Sequence, residues 1–502
     1  MAKKLSFLDR SFWLTETKSN PKHVACLQFL TKPDNAAADY CTKLVEELKG
    51  HKQGFYPFDQ RVISFMRIAI GFKKVKELDM DYHVQHHHIA DIGDQAALHK
   101  FAAKLHEPML DRSKPLWQIH IIEGKDSQEY AIFFTIHHVY GDGASLVKWF
   151  QESYQDKPSE NFVPAWACER KSKTRQKKNP FTSFFIDLWH FVVSVFDIIF
   201  IFLRLLLKLL RIYPVYMPLP FSGTKTMLTG QVTPGRVVAT TSIDFLAIKS
   251  LSTRMRASAN EIILCCFDIA VHKFLKDHDH VFDRPLITQM PINMRKPTDP
   301  VGGNKIAIVP VQLAYGKKDP YLRLRQIIEN HRIVKGVAKR VYPAAFSYYT
   351  VLIQGMALIF ESLKLSAFFK PLGNILISNV PGPKNTMYFK DSRLNGLHPI
   401  STLTPGGGVN ITLLTYQDKA DIGLVCCDKE IESLEPLAEH FQEAFELLSQ
   451  CVDNPSLTID DLAEMAKTPH KSVLDDHFHH QNHRTSTQAE PQSESEPEKV
   501  ES

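Results

Sequence analysis

A chain of 502 residues exceeds one ordinary core and has room for two domains of roughly 150–250 residues each. Its 44% hydrophobic content excludes wholesale disorder. The net charge of +5 divides into −4 over residues 471–502, with three basic and seven acidic side chains, and +9 over the rest, a balance that favours anionic partners such as coenzyme phosphates, lipid headgroups or nucleic acid.

The N-terminus places Asp9 ahead of any hydrophobic stretch, so it does not read as a secretory signal and points to a cytosolic protein. Ala38, Cys41, Leu44, Val45 and Leu48 recur at helical spacing over 37–48, and 96–105 repeats the pattern. Tyr130 to Ile136 is a short apolar run rich in β-formers and predicts a buried strand. Six of the nine residues from Arg170 to Lys178 are basic, and an apolar stretch follows from about Phe184 to Ile212. Asp187, His190, Ser194, Asp197, Arg204, Lys208 and Arg211 draw one narrow polar stripe along that stretch. No uncharged run in it approaches the about 20 residues that a spanning helix needs. Residues 170–212 are therefore expected to lie in the interface of a membrane or lipid droplet, beside anionic headgroups. The alternative is a helix docked on the protein with its stripe toward water, and the two can coexist.

From about Thr233 to Lys467, strand-like runs (305–313, 375–380, 408–416 and 421–427) alternate with helical ones (258–274, 321–337 and 434–448). That mix indicates an α/β or α+β layering. Beyond Pro469 the composition turns polar, His-rich and then Glu/Ser/Pro-rich, as in a disordered tail. His477, His479, His480 and His483 there offer only adventitious metal binding. The expected plan is an N-terminal domain over 1–165, a basic and amphipathic linker over 166–232, a C-terminal domain over 233–468 and a tail over 469–502. The eight cysteines include the adjacent pairs Cys265–Cys266 and Cys426–Cys427 and form no C-x-x-C. They read as small core residues of a reducing compartment.

Chemistry concentrates in Ile136-His137-His138-Val139-Tyr140-Gly141-Asp142-Gly143, where a strand delivers two histidines, a glycine-containing turn follows, and a helix restarts over 144–151. Neighbours at a strand end project to opposite sides, so one imidazole can face a substrate channel while the other packs behind it. An imidazole titrating near 6.5 can take and return a proton, which makes His138 a general-base candidate with His137 in support. Asp142 is placed to hold the loop through a buried pair with an arginine. Gly143 permits torsions or an approach that a side chain would forbid. The bland reading is two core or surface histidines beside an ordinary turn.

Other sites are missing. No G-x-S-x-G supports a serine elbow, no G-x-x-x-x-G-K-[ST] a phosphate loop, and Gly406-Gly407-Gly408 lacks the spacing of a dinucleotide loop. His86-His87-His88 stands without spaced carboxylate or cysteine partners, so no metal is expected. The basic run lacks the interleaved aromatics that would stack on bases, so no nucleic acid is expected.

The H-H-x-x-x-D-G heptad, with Pro115-Leu116-Trp117 about twenty residues upstream, resembles the bacterial wax ester synthase/diacylglycerol acyltransferase family. Leu5-Ser-Phe-Leu-Asp9, Pro21-Lys-His23-Val24, Asp81-Tyr82-His83-Val84, Leu110-Asp111-Arg112-Ser113, Met290-Pro-Ile-Asn-Met-Arg295, Gly303-Asn304 and Asn379-Val-Pro-Gly-Pro383 extend the likeness over nearly the whole body. Ala259-Asn260-Glu261-Ile262 carries Glu where the family has Asp, and 166–232 is the least similar part. The resemblance implies two chloramphenicol-acetyltransferase-like domains with a tunnel at their interface. It also implies direct transfer of a long-chain acyl group from acyl-CoA to a fatty alcohol, and secondarily to diacylglycerol, without a cofactor. In that picture His138 is the base, Asn260 the first oxyanion candidate with Ser378 and Asn379 behind it, and Arg295 the partner of Asp142. A superfamily enzyme for a small polar acceptor, or a non-catalytic lipid-surface protein, is the alternative. The expected location is cytoplasmic and peripheral to the inner membrane or lipid inclusions.

Overall fold

The computed structural model describes residues 5–170, 180–212, 218–280, 284–294, 304–317, 319–340, 343–365 and 368–453. Arg295, the basic residues 171–178 and the tail therefore lie outside the described residues. The strands in chain order are β1 (His23–Thr31), β2 (Gln60–Phe65), β3 (Ile68–Lys74), β4 (Val84–Ile89), β5 (Trp117–Gly124), β6 (Glu129–His137), β7 (Tyr154–Gln155), β8 (Val237–Asp244), β9 (Ile287–Asn293), β10 (Ile306–Gln312), β11 (Ile375–Val380), β12 (Tyr388–Phe389), β13 (Ser392–Ile400), β14 (Val409–Tyr416) and β15 (Lys419–Cys426). The helices are α1 (Phe7–Thr15), α2 (Tyr40–Gly50), α3 (Met80–His83), α4 (Gln95–His106), α5 (Gly143–Gln151), α6 (Pro180–Leu209), α7 (Phe245–Arg254), α8 (Ala259–Asp277), α9 (Pro320–Arg340), α10 (Pro343–Ser362) and α11 (Glu435–Asp453). Each helix and strand read from periodicity is present, with ends shifted by a few residues, as fraying termini allow.

Two mixed sheets form the body. One runs β4-β5-β6-β1-β13-β12-β7 and the other β10-β9-β11-β14-β15-β8, with β2 and β3 as a separate hairpin. Strand β13 belongs to the C-terminal half of the chain yet pairs antiparallel with β1, from Ala25 opposite Ile400 to Thr31 opposite Arg393. The first sheet is thus completed by the second half. The burial patterns of β6 and β15 are almost continuous because helices or loops cover both faces. A core around α8, α11 and the second sheet takes in Cys265, Cys266 and Cys426, while Cys427 packs in a second core; all four are buried free thiols.

Helix α6 departs from the water-facing alternative. It packs on α10 through Ser194, Ile201 and Leu205, all buried, with Asp197, Arg204 and Lys208 half-buried along one flank of that seam. Its outward side is apolar: Val192, Val195, Phe196, Ile199, Leu203, Leu206 and Leu210 are exposed. Burial pushes Lys208 down to about 8. The helix is docked through Ser194, Ile201 and Leu205, with Asp197, Arg204 and Lys208 at the edge of the seam, Arg211 exposed just beyond its end and much of the remaining surface apolar. Arg170 is also bound internally, donating to the carbonyls of Tyr56 and Ala165, both at 2.7 Å, and pairing with Glu152. No described helix is long and apolar enough to cross a membrane.

Candidate active site

Strand β6 ends at His137, and the following turn makes Asp142 the N-cap of α5, its carboxylate accepting from the Ser145 N–H at 3.0 Å. Alternation at the strand end separates the imidazoles as expected. His138 lines a cavity between the two halves, while His137 is fully buried outside it. The walls come from both sheets and α5, and are mostly apolar, with Val24, Leu146, Phe150, Ile306, Leu376 and Leu414 among them. Asn293, Ser378, Asn379, Asn410 and Thr412 supply polar points.

The tautomer of His138 is fixed by its backbone. The Gly141 carbonyl sits 3.1 Å from Nδ1 and can only accept, so Nδ1 carries the proton and Nε2 keeps its lone pair. Burial and then His137 push this imidazole down to about 4, against the Gly141 carbonyl and Asp142, which favour the charged form. It is therefore neutral at pH 7, the state a base requires. Phe12 on α1 stacks on the ring with centroids 4.4 Å apart. The peptide is held as firmly: the His138 N–H donates to the Lys22 carbonyl at 2.9 Å, and Asn304 Nδ2 donates to the His138 carbonyl at 2.7 Å. The same Asn304 amide donates to Asp9 Oδ1 at 2.8 Å, tying α1 to the start of β10.

His137 has a different partner. Its Nδ1 accepts the Val139 N–H at 2.9 Å, which leaves the proton on Nε2; that nitrogen lies 3.3 Å from Glu16 Oε1 without the alignment of a hydrogen bond. Burial would raise the Glu16 carboxyl, but His137, the Lys22 N–H and Arg112 together hold it well below the ordinary carboxylate range. Arg112 reaches Glu16 Oε2 at 2.8 Å. Pro115-Leu116-Trp117 braces the same loop. The Leu116 carbonyl accepts the His137 N–H at 3.0 Å, and the Leu116 N–H donates to the Tyr140 hydroxyl at 3.0 Å. Trp117 is buried and donates to the Phe58 carbonyl at 2.9 Å.

Asp142 binds Ser145 through its hydroxyl as well, at 2.8 Å, and its Oδ2 accepts the Lys305 N–H at 3.2 Å. It thus fixes the helix start and joins it to β10. Gly143 has no left-handed torsion; a Cβ there would stand 3.2 Å from Val380 Cγ2, so close approach is its reason. Ser378 and Asn379, at the end of β11, line the cavity with His138, whereas Asn260 does not. Asn260 instead accepts from Asn379 Nδ2 at 2.6 Å. The unusual Glu261 closes a capping box with Ser258 at the start of α8 and lies 3.1 Å from His331. Phe12, Glu16, Arg112, Gly141 and Asn304 received no role from the sequence. Arg112 and Asn304 sit in recognisable motifs, but spacing alone does not say what they touch.

A model of the wax ester synthase/diacylglycerol acyltransferase catalytic domain matches residues 5–263, and a model of the C-terminal domain matches 302–449. The chain belongs to this family. It is 26% identical over 449 residues to the O-acyltransferase WSD of Acinetobacter baylyi, covering 88% of this chain and 95% of that one. The solved wax ester synthase/diacylglycerol acyltransferase of Marinobacter aquaeolei VT8 superposes with a TM-score of 0.69 at 21% identity, covering 90% of this chain and 100% of that one. A condensation domain of the calcium-dependent antibiotic synthetase superposes at 0.58 with 11% identity, covering 92% and 99%. The fold is accordingly that of the CoA-dependent acyltransferases, and the family member is an O-acyltransferase.

Proposed function

We propose that His138 Nε2 is the general base for transfer of a long-chain acyl group from acyl-CoA to a fatty alcohol, with diacylglycerol as a second acceptor. The tautomer set by the Gly141 carbonyl carries this reading, because it leaves a neutral, basic nitrogen in an apolar cavity. Nε2 takes the acceptor hydroxyl proton, the oxygen attacks the thioester carbonyl, the C–S bond breaks, and the imidazolium returns the proton to the CoA thiolate. No covalent acyl-enzyme and no metal enters the sequence. The developing oxyanion needs a donor, and Asn379, with a free amide hydrogen beyond the one given to Asn260, is placed to supply it from the cavity wall. Asn260 then orients Asn379. The apolar lining favours an alkyl acceptor over a small polar one.

The outward face of α6 supports peripheral attachment to a lipid surface from the cytoplasmic side. Leu352, Met356 and Ile359 of α10 add to the exposed apolar area beside it. Water-insoluble acceptor and product give that attachment a use. A panel of hexadecanol, diacylglycerol and soluble alcohols with palmitoyl-CoA tests the substrate reading, and a preference for the soluble acceptors sinks it. Liposome flotation of Leu203→Glu/Leu206→Glu tests attachment; the doubly substituted chain is expected to stay at the bottom of the gradient, and co-flotation equal to the parent's removes α6 as the anchor.

A further inference from the structure

Strand β4 is the edge of the first sheet, and it carries His86-His87-His88. Period-two alternation puts His86 and His88 on one face and His87 on the other. His87 is used within the fold, its Nε2 lying 3.1 Å from His120 Nδ1. The other face acquires a partner invisible in the sequence. Parallel pairing with β5 sets His88 beside Glu123, whose carboxylate is otherwise buried. His86 Nε2 lies 2.8 Å and His88 Nδ1 3.5 Å from Glu123 Oε1, and the three ligand atoms fall within 4.8 Å of one another. Two ligands at roughly 2.05 Å from a tetrahedral zinc stand roughly 3.3 Å apart, close to the spacing each imidazole already has from Glu123 Oε1.

We propose that His86, His88 and Glu123 form a site for a borderline divalent transition-metal ion, Zn²⁺ being the type, with a fourth position open to water. The ligand set is two imidazoles and one carboxylate, with the His-x-His on one strand and the acid on its neighbour. Lys32 stands 3.5 Å from Glu123 Oε2 and would orient the carboxylate while Oε1 binds the metal. The site sits on β4 and β5; Glu123 is paired with Tyr130 at the start of β6, the opposite end of that strand from His137, and the three side chains touch none of the groups around His138. Its effect is to pin the edge strand to its neighbour and to strengthen the fold, leaving acyl transfer alone.

The tail histidines complicate the test, so the parent for it is the full chain carrying His477→Gln, His479→Gln, His480→Gln and His483→Gln. Calorimetric titration of that parent with Zn²⁺ is expected to give one saturable equivalent, while Mg²⁺ gives none. Zinc in hundredfold excess over Kd is expected to raise the melting temperature by roughly 3 °C. Adding His86→Gln/His88→Gln, or Glu123→Gln alone, should weaken binding about tenfold or more and abolish the thermal shift, with acyl transfer unchanged. Two results overturn the proposal: a parent that binds no zinc, or binding and thermal shift that survive in both sets of variants with an unchanged far-UV spectrum.

Discussion

The two sides of the cavity are built to different standards. On the His138 side, the ring is stacked by Phe12, its Nδ1 is committed to Gly141, and its peptide is held by Lys22 and Asn304. On the β11 side, Asn260 and Asn379 are exposed and hold each other through one hydrogen bond. A base works only in one tautomer and one orientation, so it has to be fixed before substrate arrives. A donor to a developing oxyanion is needed only once the thioester is in place. In the proposed mechanism the open β11 side meets the thioester and the closed His138 side holds the base.

The strongest attempt to break that contrast is His138→Ala, which is expected to lower kcat about 10³-fold in protein that keeps the parent's far-UV spectrum. Retained turnover in folded protein would end the base assignment. Asn379→Ala should cost about 10²-fold in kcat with little change in KM, whereas Asn260→Ala, acting through Asn379, should cost about tenfold. A double-mutant cycle reads their coupling, and strict additivity of the two losses would separate them. Asn304→Ala removes donors from both Asp9 and the His138 carbonyl, and is expected to cost about 2 kcal/mol of stability by denaturant titration. An unchanged midpoint would show that the brace between α1 and the histidine loop is slack.

Acid separates the two sides differently. Burial pushes the imidazoles of His138, His23 and His83 down to about 4, whereas an unfolded chain protonates histidine near 6.5. Between those values the unfolded state binds protons that the fold refuses. Stability is therefore full above about pH 6.5 and falls as the pH drops toward 4. The melting temperature should decline steadily across that window, while kcat of the still-folded fraction shows no break at 6.5. A loss of kcat centred at 6.5 in folded protein would mean that His138 is more exposed to solvent than this geometry allows. The smallest effect is expected from Gly143→Ala, a few-fold loss of activity, because Val380 can give way by tenths of an ångström to the new methyl. Gly143→Val, lacking that slack, should widen the seam between α5 and β11 and lower both activity and melting temperature.

Much of this was legible in one dimension. The strand ending at His137, the turn, the helix after Asp142 and the opposite directions of the two imidazoles all follow from alternation and turn chemistry, which are local. The core role of the paired cysteines followed from their apolar surroundings. Helix α6 was half legible: a polar stripe along it could be drawn from the sequence, but its direction depends on what packs beside it. Packing on α10 buries Ser194 and half-buries Asp197, Arg204 and Lys208, while much of the apolar side stays exposed.

What the sequence by itself determined is the candidate base and the elements that present it, because a heptad fixes its own backbone path. What only the tertiary structure decided is how that group is held. Glu16 at the end of α1 reaches His137, Asn304 just before β10 reaches His138 across 166 positions, and Glu123 reaches His86 across 37 through the pairing of β4 with β5. Such contacts join residues whose separation along the chain carries no periodic signal. The second half of the site depends on the same thing, since β11 meets α5 only once both sheets have formed.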